Sequence, residues 1–375
     1  MNLHSQITKL KPNDVQSFNL LERSLRKAVH PIFEMLLLPS NAEDADVRRH
    51  LYAATEALAS YQDGLVPTVD LDRFPPDVFI HGKPASIVGY ENLYQRRMRV
   101  IPVVALHADT LARARMAEVA EAHGQGLCIR LLDEDIMSLP EQAAKSVTEI
   151  VRDVRLNISE VDILLDCAKL GRYDDDHIAL SVIRLLMFFN RAGIRCRRIT
   201  FAGSSIPKLI TEVVEQKHSH GAISRAELAI WTRICRAYGW GRLGFADYGI
   251  VRPGHTDSAP VIHINGKLRY TVGAKTHFFR GCSRVELPLA DQYPDIVKAM
   301  VGSGHYLGPA YSHADKYYRQ VADDLTTTGN TGKWVTLDMN HHLAYVSRQL
   351  SALVRLPERE LSSAERVESF IESFA

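Results

Sequence analysis

Val161-Asp162-Ile163-Leu164-Leu165-Asp166-Cys167 reads as a buried strand that ends on a carboxylate. Asp174-Asp175-Asp176 follows it, then Leu180, Ile183, Leu186 and Phe189 at helical spacing, and Gly193 closes that stretch. RRITFAGSS (197–205) is a strand again, so residues 161–205 form one strand–helix–strand unit. The unit repeats outward along the chain. HSQITKLK (4–11), VHPIFEM (29–35), VPTVDLD (66–72), VIPVVALH (100–107), LCIRLL (127–132) and LGFADYGI (243–250) are further short apolar runs, most of them stopping at a charged or hydroxyl residue. Between them lie helix signals: Pro12-Asn13-Asp14 before Phe18, Leu21 and Leu25; Asp46 before Val47, Leu51 and Leu58; Asp109-Thr110 with Gly124 as the closing cap; Pro140 before Val147 and Ile150. Eight strand–helix units predict an α/β fold, a (β/α)8 TIM-like barrel.

Two stretches break the rhythm. Residues 74–99 predict a longer connection with one helix from Tyr90 to Arg97, and Lys208–Lys217 and Arg225–Tyr238 predict two helices around a turn at His218–Gly221. Beyond the eighth strand the pattern changes. Asn265-Gly266 within 261–272 predicts a hairpin turn, His277–Arg280 a further strand, and Asp291–Val301, His313–Ala322 and Met339–Leu353 three helices, with Asn340 as a cap. The expected organisation is a barrel over 1–255 and a hairpin-plus-helix extension over 256–375, which packs on the barrel and could supply its last outer helix. Pro357–Ala375 is expected as a helical or frayed tail.

The chain of 375 residues is 46% apolar and 24% charged, the balance of a soluble globular protein with ample core. A net charge of +1 carries no bulk signal for nucleic acid or an anionic membrane. No apolar run reaches the ~18–20 residues of a membrane span, and MNLHSQITKLKPND lacks a signal-peptide core. Cys128, Cys167, Cys196, Cys235 and Cys282 are odd in number and form no CxxC pair, which points away from a zinc site and toward a reduced, cytoplasmic compartment.

In such barrels the carboxyl ends of the strands carry the site. Those ends are Lys9, Glu34, Asp70 with Asp72, His107, Arg130, Asp166, Ser204 with Ser205, and Asp247 with Tyr248. Buried carboxylates are costly unless paired, so the set either forms salt bridges across the mouth or grips a charged ligand. Gly203-Ser204-Ser205 with Lys208 suits an anion cradle or a plain helix cap. Arg269, Lys275, Arg280, Arg284, His341 and His342 could reach over the mouth; the two histidines are adjacent, a spacing that rarely chelates one ion. Walker A, GxGxxG, HExxH and kinase signatures are missing.

The ordered series Ile7-Thr8-Lys9, Pro31-Ile32-Phe33-Glu34, Val69-Asp70, Ile101-Pro102-Val103, Gly126–Arg130, Val161–Asp166, Ile199–Lys208, Phe245–Val251, Arg269-Tyr270-Thr271 and Asn340-His341-His342 resembles the beta protein family, named after a protein of T-even phage. Cys167-Ala168 stands where the family tends to have Leu-Gly, and Met339 where it has Thr. The resemblance implies a role in phage–host conflict without a settled reaction.

Three functional readings follow. The first is an enzyme or sensor for an anionic, phosphate-bearing small molecule or nucleotide. Lys9, Arg130 and Arg269 would hold the anion, with Asp70, Ser204, Ser205, Lys208 and His341 in the ligand shell. Glu34, Asp166 and Asp247 would be the acid–base groups, and Tyr248 would position a substrate oxygen. If an enzyme, it would be a hydrolase or lyase. The second is a magnesium- or manganese-dependent phosphoesterase or nuclease, with Asp70, Asp72, Asp166, Glu34 and Asp247 as oxygen ligands. The third is a non-enzymatic subunit of a defence complex, with a protein partner or a second copy on the extension.

Overall fold

The computed structural model describes residues 4–36, 43–71, 78–254 and 264–354. Its strands are β1 His4–Lys9, β2 Val29–Glu34, β3 Thr68–Asp70, β4 Phe79–Ile80, β5 Lys83–Pro84, β6 Ile101–Ala105, β7 Leu127–Leu132, β8 Val161–Lys169, β9 Arg198–Ser204, β10 Ser219–Ser224, β11 Gly244–Asp247, β12 Asn265–Val272 and β13 Lys275–Ser283. Eight of them close into a barrel in the order β1-β2-β3-β6-β7-β8-β9-β11, and every pair is parallel. This is the (β/α)8 TIM-like barrel expected from the eight runs.

Alternation along each strand sorts the side chains. Ile7, Ile32, Ile101, Val103, Cys128, Leu164, Ala202 and Ala246 fill the middle of the barrel, with Tyr248 above. Their neighbours Phe33, Val69, Val104, Ile129, Leu165, Phe201 and Phe245 point outward into the helical layer. Helix boundaries follow the local signals. The Asp109 side chain accepts from the Ala112 N–H, and Gly124 ends that helix at φ 62°. Asp174 caps Asp175–Arg191 through the N–H groups of Asp176 and His177, so the triple aspartate is a helix start.

Three expectations are corrected. The stretch 208–217 holds one short 3-10 turn, Ile210–Glu212, and His218–Gly221 leads into β10, which pairs antiparallel with β13. Its partner lies far along the chain, so local spacing could not reveal it. Asn265-Gly266 is inside β12; the hairpin turns at Gly273-Ala274, where Gly273 has φ 61°. Gly266 is small for another reason: a Cβ there would stand 2.4 Å from Gln292 Oε1 and 2.9 Å from Ile296 Cδ1. Asn340 is mid-helix in Thr331–Val354, not a cap to it.

The sheet β10-β13-β12 is backed by helices Leu289–Val301 and His313–Ala322, with Leu268, Tyr270, Phe279, Tyr293, Val297, Met300, Tyr318 and Trp334 between them. Helix Thr331–Val354 then returns to the barrel. Met339, Leu343, Ala344, Val346 and Leu350 join the barrel's outer core, and the helix lies along Pro12–Asn19. Asn340 ties the two units: its Nδ2 donates to the Ser17 carbonyl and its Oδ1 accepts from the Ala314 N–H, an orphan donor at the start of the neighbouring helix. The tail Pro357–Ala375 lies outside the described residues. Among the described residues no helix is long and apolar enough to cross a membrane.

Candidate functional site at the barrel mouth

The inward face continues upward from the apolar layer into a charged one. Register sets Lys9 beside Glu34 and Glu34 beside Asp70, while Arg130, Asp166, Ser204 and Tyr248 complete the circle. All are buried, Glu34 and Asp166 at 0% exposure.

Arg130 is the hub. Its Nε donates to Asp166 Oδ2 at 3.0 Å, Nη1 donates to Asp70 Oδ2, and Nη2 donates to Glu34 Oε1 at 2.7 Å, to Tyr248 Oη at 2.9 Å and to Asp166 Oδ2. Tyr248 Oη in turn donates to Asp166 Oδ2 at 2.7 Å. Glu34 holds the second cation through its other oxygen, with Lys9 Nζ donating to Oε2 at 2.6 Å. Burial works against the Arg130 charge, but Tyr248, Asp166, Glu34 and Asp70 around it push its pKa well above the ordinary value. Burial, then the neighbouring Asp166, drives the Tyr248 phenol well above its usual range, so it stays protonated and donates. Asp166 Oδ1 accepts from the Ala168 N–H, and Ala168 sits at φ 47° in an irregularity between Asp166 and Lys169. A left-handed position suits glycine.

Other strand-end residues go elsewhere. Asp247 follows inward-facing Ala246, so its side chain points out through the wall. There Asp247 Oδ2 accepts from Arg225 Nη2 at 3.2 Å, both its oxygens lie 3.0 Å from His342 Nε2, and Oδ1 accepts from the Gly249 N–H. Burial opposes the Asp247 charge, but His342 and Arg225 hold its carboxyl far below the usual range. Ser204 stays at the rim, where its Oγ accepts from the Ile206 N–H. Ser205 donates to Glu227 Oε2 and accepts from the Ala226 N–H, so it caps helix Ala226–Tyr238. Burial raises the Glu227 carboxyl. Lys208 is exposed, and the Gly-Ser-Ser turn is followed by the short 3-10 turn Ile210–Glu212, so no long helix running on from that turn presents its amino end to the cradle. His107 pairs with Asp135 on the outside.

Arg269 and His341 belong to the inserted unit. Arg269 donates to Asp338 Oδ2 from its backbone N–H and Nη1. His341 lies flat on Tyr270, with Nε2 on the Thr271 carbonyl and Nδ1 on Asp315 Oδ2, each at 2.8 Å. Asp72 lies outside the described residues. Among the described residues no three His, Cys, Asp or Glu side chains are grouped to hold a metal ion; the Arg130 guanidinium occupies the space between Glu34, Asp70 and Asp166.

Sequence reasoning missed a second polar layer at the strands' amino ends. His30 Nε2 meets Thr68 Oγ1 at 2.8 Å, and Arg198 Nη2 donates to Asp162 Oδ2 at 2.8 Å. The signal was available: Asp162 shares the pleat face of Leu164 and Asp166. Arg225, which reaches Asp247 from a connection, gave no such signal.

No curated protein matches the sequence. Among solved structures the chain is similar to an alanine racemase from Clostridium difficile 630, at 10% identity and a TM-score of 0.28, covering 53% of this chain and 45% of that one. It is also similar to the octameric ribulose-1,5-bisphosphate carboxylase/oxygenase of Pyrococcus horikoshii OT3, at 13% identity and a TM-score of 0.33, covering 66% and 54%. The chain thus spans about half the length of each of these two. The Beta protein family pattern matches residues 7–348, nearly the whole sequence. The chain belongs to the Beta protein family.

Proposed function

We propose that the carboxyl-end layer is a cytoplasmic ligand site for a small anionic molecule, phosphate-bearing or nucleotide, and that the protein acts in phage–host conflict. One observation carries the site reading: a single carboxylate, Glu34, clamps Lys9 and Arg130 side by side on its two oxygens, at 2.6 and 2.7 Å. Two cations brought side by side on one carboxylate are donors that a phosphate would recruit by displacing it. Three carboxylates stand against these two cations, so a phosphate enters most readily when its carrier also donates hydrogen bonds. The hydroxyls of a sugar phosphate or nucleotide do so, to Asp70, Asp166 or Glu34. Glu34 and Asp166 are the acid–base candidates, and the protonated Tyr248 orients a substrate oxygen.

The test is a thermal-melt panel of nucleotides, sugar phosphates, magnesium and manganese on wild type and Lys9→Met. The expected result is a rise with one organic phosphate, lost in K9M. A rise with the divalent ions alone would favour the metal-dependent hydrolase, and no rise at all would remove the ligand reading. Phage plaquing on cells expressing either form tests the biological role. Complete internal pairing of the layer favours a second reading, in which the mouth charges are structural and the protein is a non-enzymatic subunit. Undiminished protection by K9M, with a partner co-eluting in gel filtration, would support it.

A further inference from the structure

All barrel strands are parallel, so the connections that enter them lie on one face, at the end opposite the mouth. Lys27 precedes β2; Arg96, Arg97 and Arg99 precede β6; Arg155 precedes β8; Arg195 and Arg197 precede β9; Arg242 precedes β11. Every one of these side chains is exposed, and the same connections carry only two acids, Asp63 and Glu160. The whole chain balances 45 Lys and Arg against 44 Asp and Glu, so this face is basic by segregation.

A cation at a helix carboxyl end ordinarily answers the helix dipole. Lys27, Arg96, Arg97 and Arg155 fit that role, but Arg99, Arg195, Arg197 and Arg242 lie beyond the last turn of their helices. Neutralisation is partial. Arg197 and Arg198 share the one carboxylate of Asp162, and Arg96 stands 3.8 Å from Glu56. Arg97, Arg155, Arg195 and Arg242 have no ion-pair partner among the described residues. The potential reaches inward: burial, then Arg198 and Arg197, hold the His30 imidazole well below its usual range.

We infer that this face binds the phosphate backbone of a nucleic acid. Arginine supplies all but one of its cations, and a guanidinium forks onto phosphate oxygens where an ammonium makes a point contact. A bilayer surface would call for apolar anchors. The exposed large apolar side chains at this end, among the described residues, are Val66 and Tyr94, and Tyr94 lies 4.3 Å under the Arg99 guanidinium, an exposed ring on which a base can also stack. The inference is independent of the mouth reading, because the two sites occupy opposite ends of the barrel.

The test is fluorescence anisotropy of the full chain with labelled single-stranded DNA, duplex DNA and RNA of about 20 nucleotides, from about 50 to 200 mM salt. Binding should weaken steeply with salt. The triple variant Arg97→Gln, Arg155→Gln, Arg195→Gln should bind at least about tenfold more weakly, with a salt slope lower by about two to three. Its melting temperature should match wild type; if it does not, the three single variants are compared instead. K9M should bind as wild type does. No binding to any strand at low salt, equal binding by the triple or all single variants, loss in K9M, or capture by anionic vesicles but not by oligonucleotides would each overturn the inference.

Discussion

Arg130 stands among three carboxylates, and the effect of a substitution there follows from what is left behind. Arg130→Met removes a buried counter-charge from Asp70, Asp166 and Glu34, so it should cost about 3–5 kcal/mol in urea unfolding. Ala168 has the opposite prospect. Its φ of 47° is paid for in strain, and Ala168→Gly should stabilise by about 0.5–1 kcal/mol in the same experiment, since the left-handed cost outweighs glycine's added chain entropy. At this scale the strand-end rule found Lys9, Glu34, Arg130 and Asp166, because each shares a pleat face with an inward apolar neighbour, and Asp70, which shares one with the buried Thr68. It put Asp247 with Tyr248, yet adjacent residues on a strand face opposite ways, so only one of the two could enter the barrel. Arg269 and His341 were misplaced for a different reason: strand ends say nothing about how a later unit is oriented.

The inserted sheet shows how one residue type serves two purposes within an element. Gly273 turns the β12–β13 hairpin with nothing within 4 Å of a Cβ, whereas Gly266 lies under Gln292 and Ile296. Gly273→Asn should be nearly neutral, and Gly266→Ala should cost about 1–3 kcal/mol by overpacking the helix against the sheet; thermal melts separate them. Asn340 makes a comparable case in Thr331–Val354. Asn340→Ala abandons a buried carbonyl and a buried N–H, for an expected loss of about 2–4 kcal/mol. All eight barrel strands and most long helices were legible, since caps and periodicity are local. Asn-Gly misled as a turn because its glycine answers to a helix beyond β13, and β10 stayed hidden because half its pattern belongs to another strand.

Across the whole molecule, buried histidines set the response to acid. Burial lowers His4 to about 3. Between that value and about 6.5 the unfolded chain takes up a proton that the folded chain refuses, so this contribution is full above about 6.5 and is lost as pH falls toward 3. His30, His123 and His342 are lowered too and have the same sign. Asp247, held far below its usual range, adds a loss below about pH 4. Asp338 opposes them: burial raises it to about 6, so between about 4 and 6 protonation of the folded form adds stability as pH falls. Burial raises Glu227 and Asp175 as well, with the same sign as Asp338. The larger set of lowered histidines, with Asp247, outweighs them, so the melting temperature should fall from pH 7 to pH 4, and His4→Asn should flatten that slope. An unchanged slope in H4N would mean that His4 is not among the groups responsible.

His4 also bonds to Ser347, 343 residues away, on the helix that lies against β1. During translation the first strand must therefore wait for almost everything else. At roughly 5–20 residues per second that interval is roughly 17–70 seconds. Throughout it the His4 end of this strand lacks the helix that covers it, which marks nascent chains paused before residue 331 as natural clients for a holding chaperone.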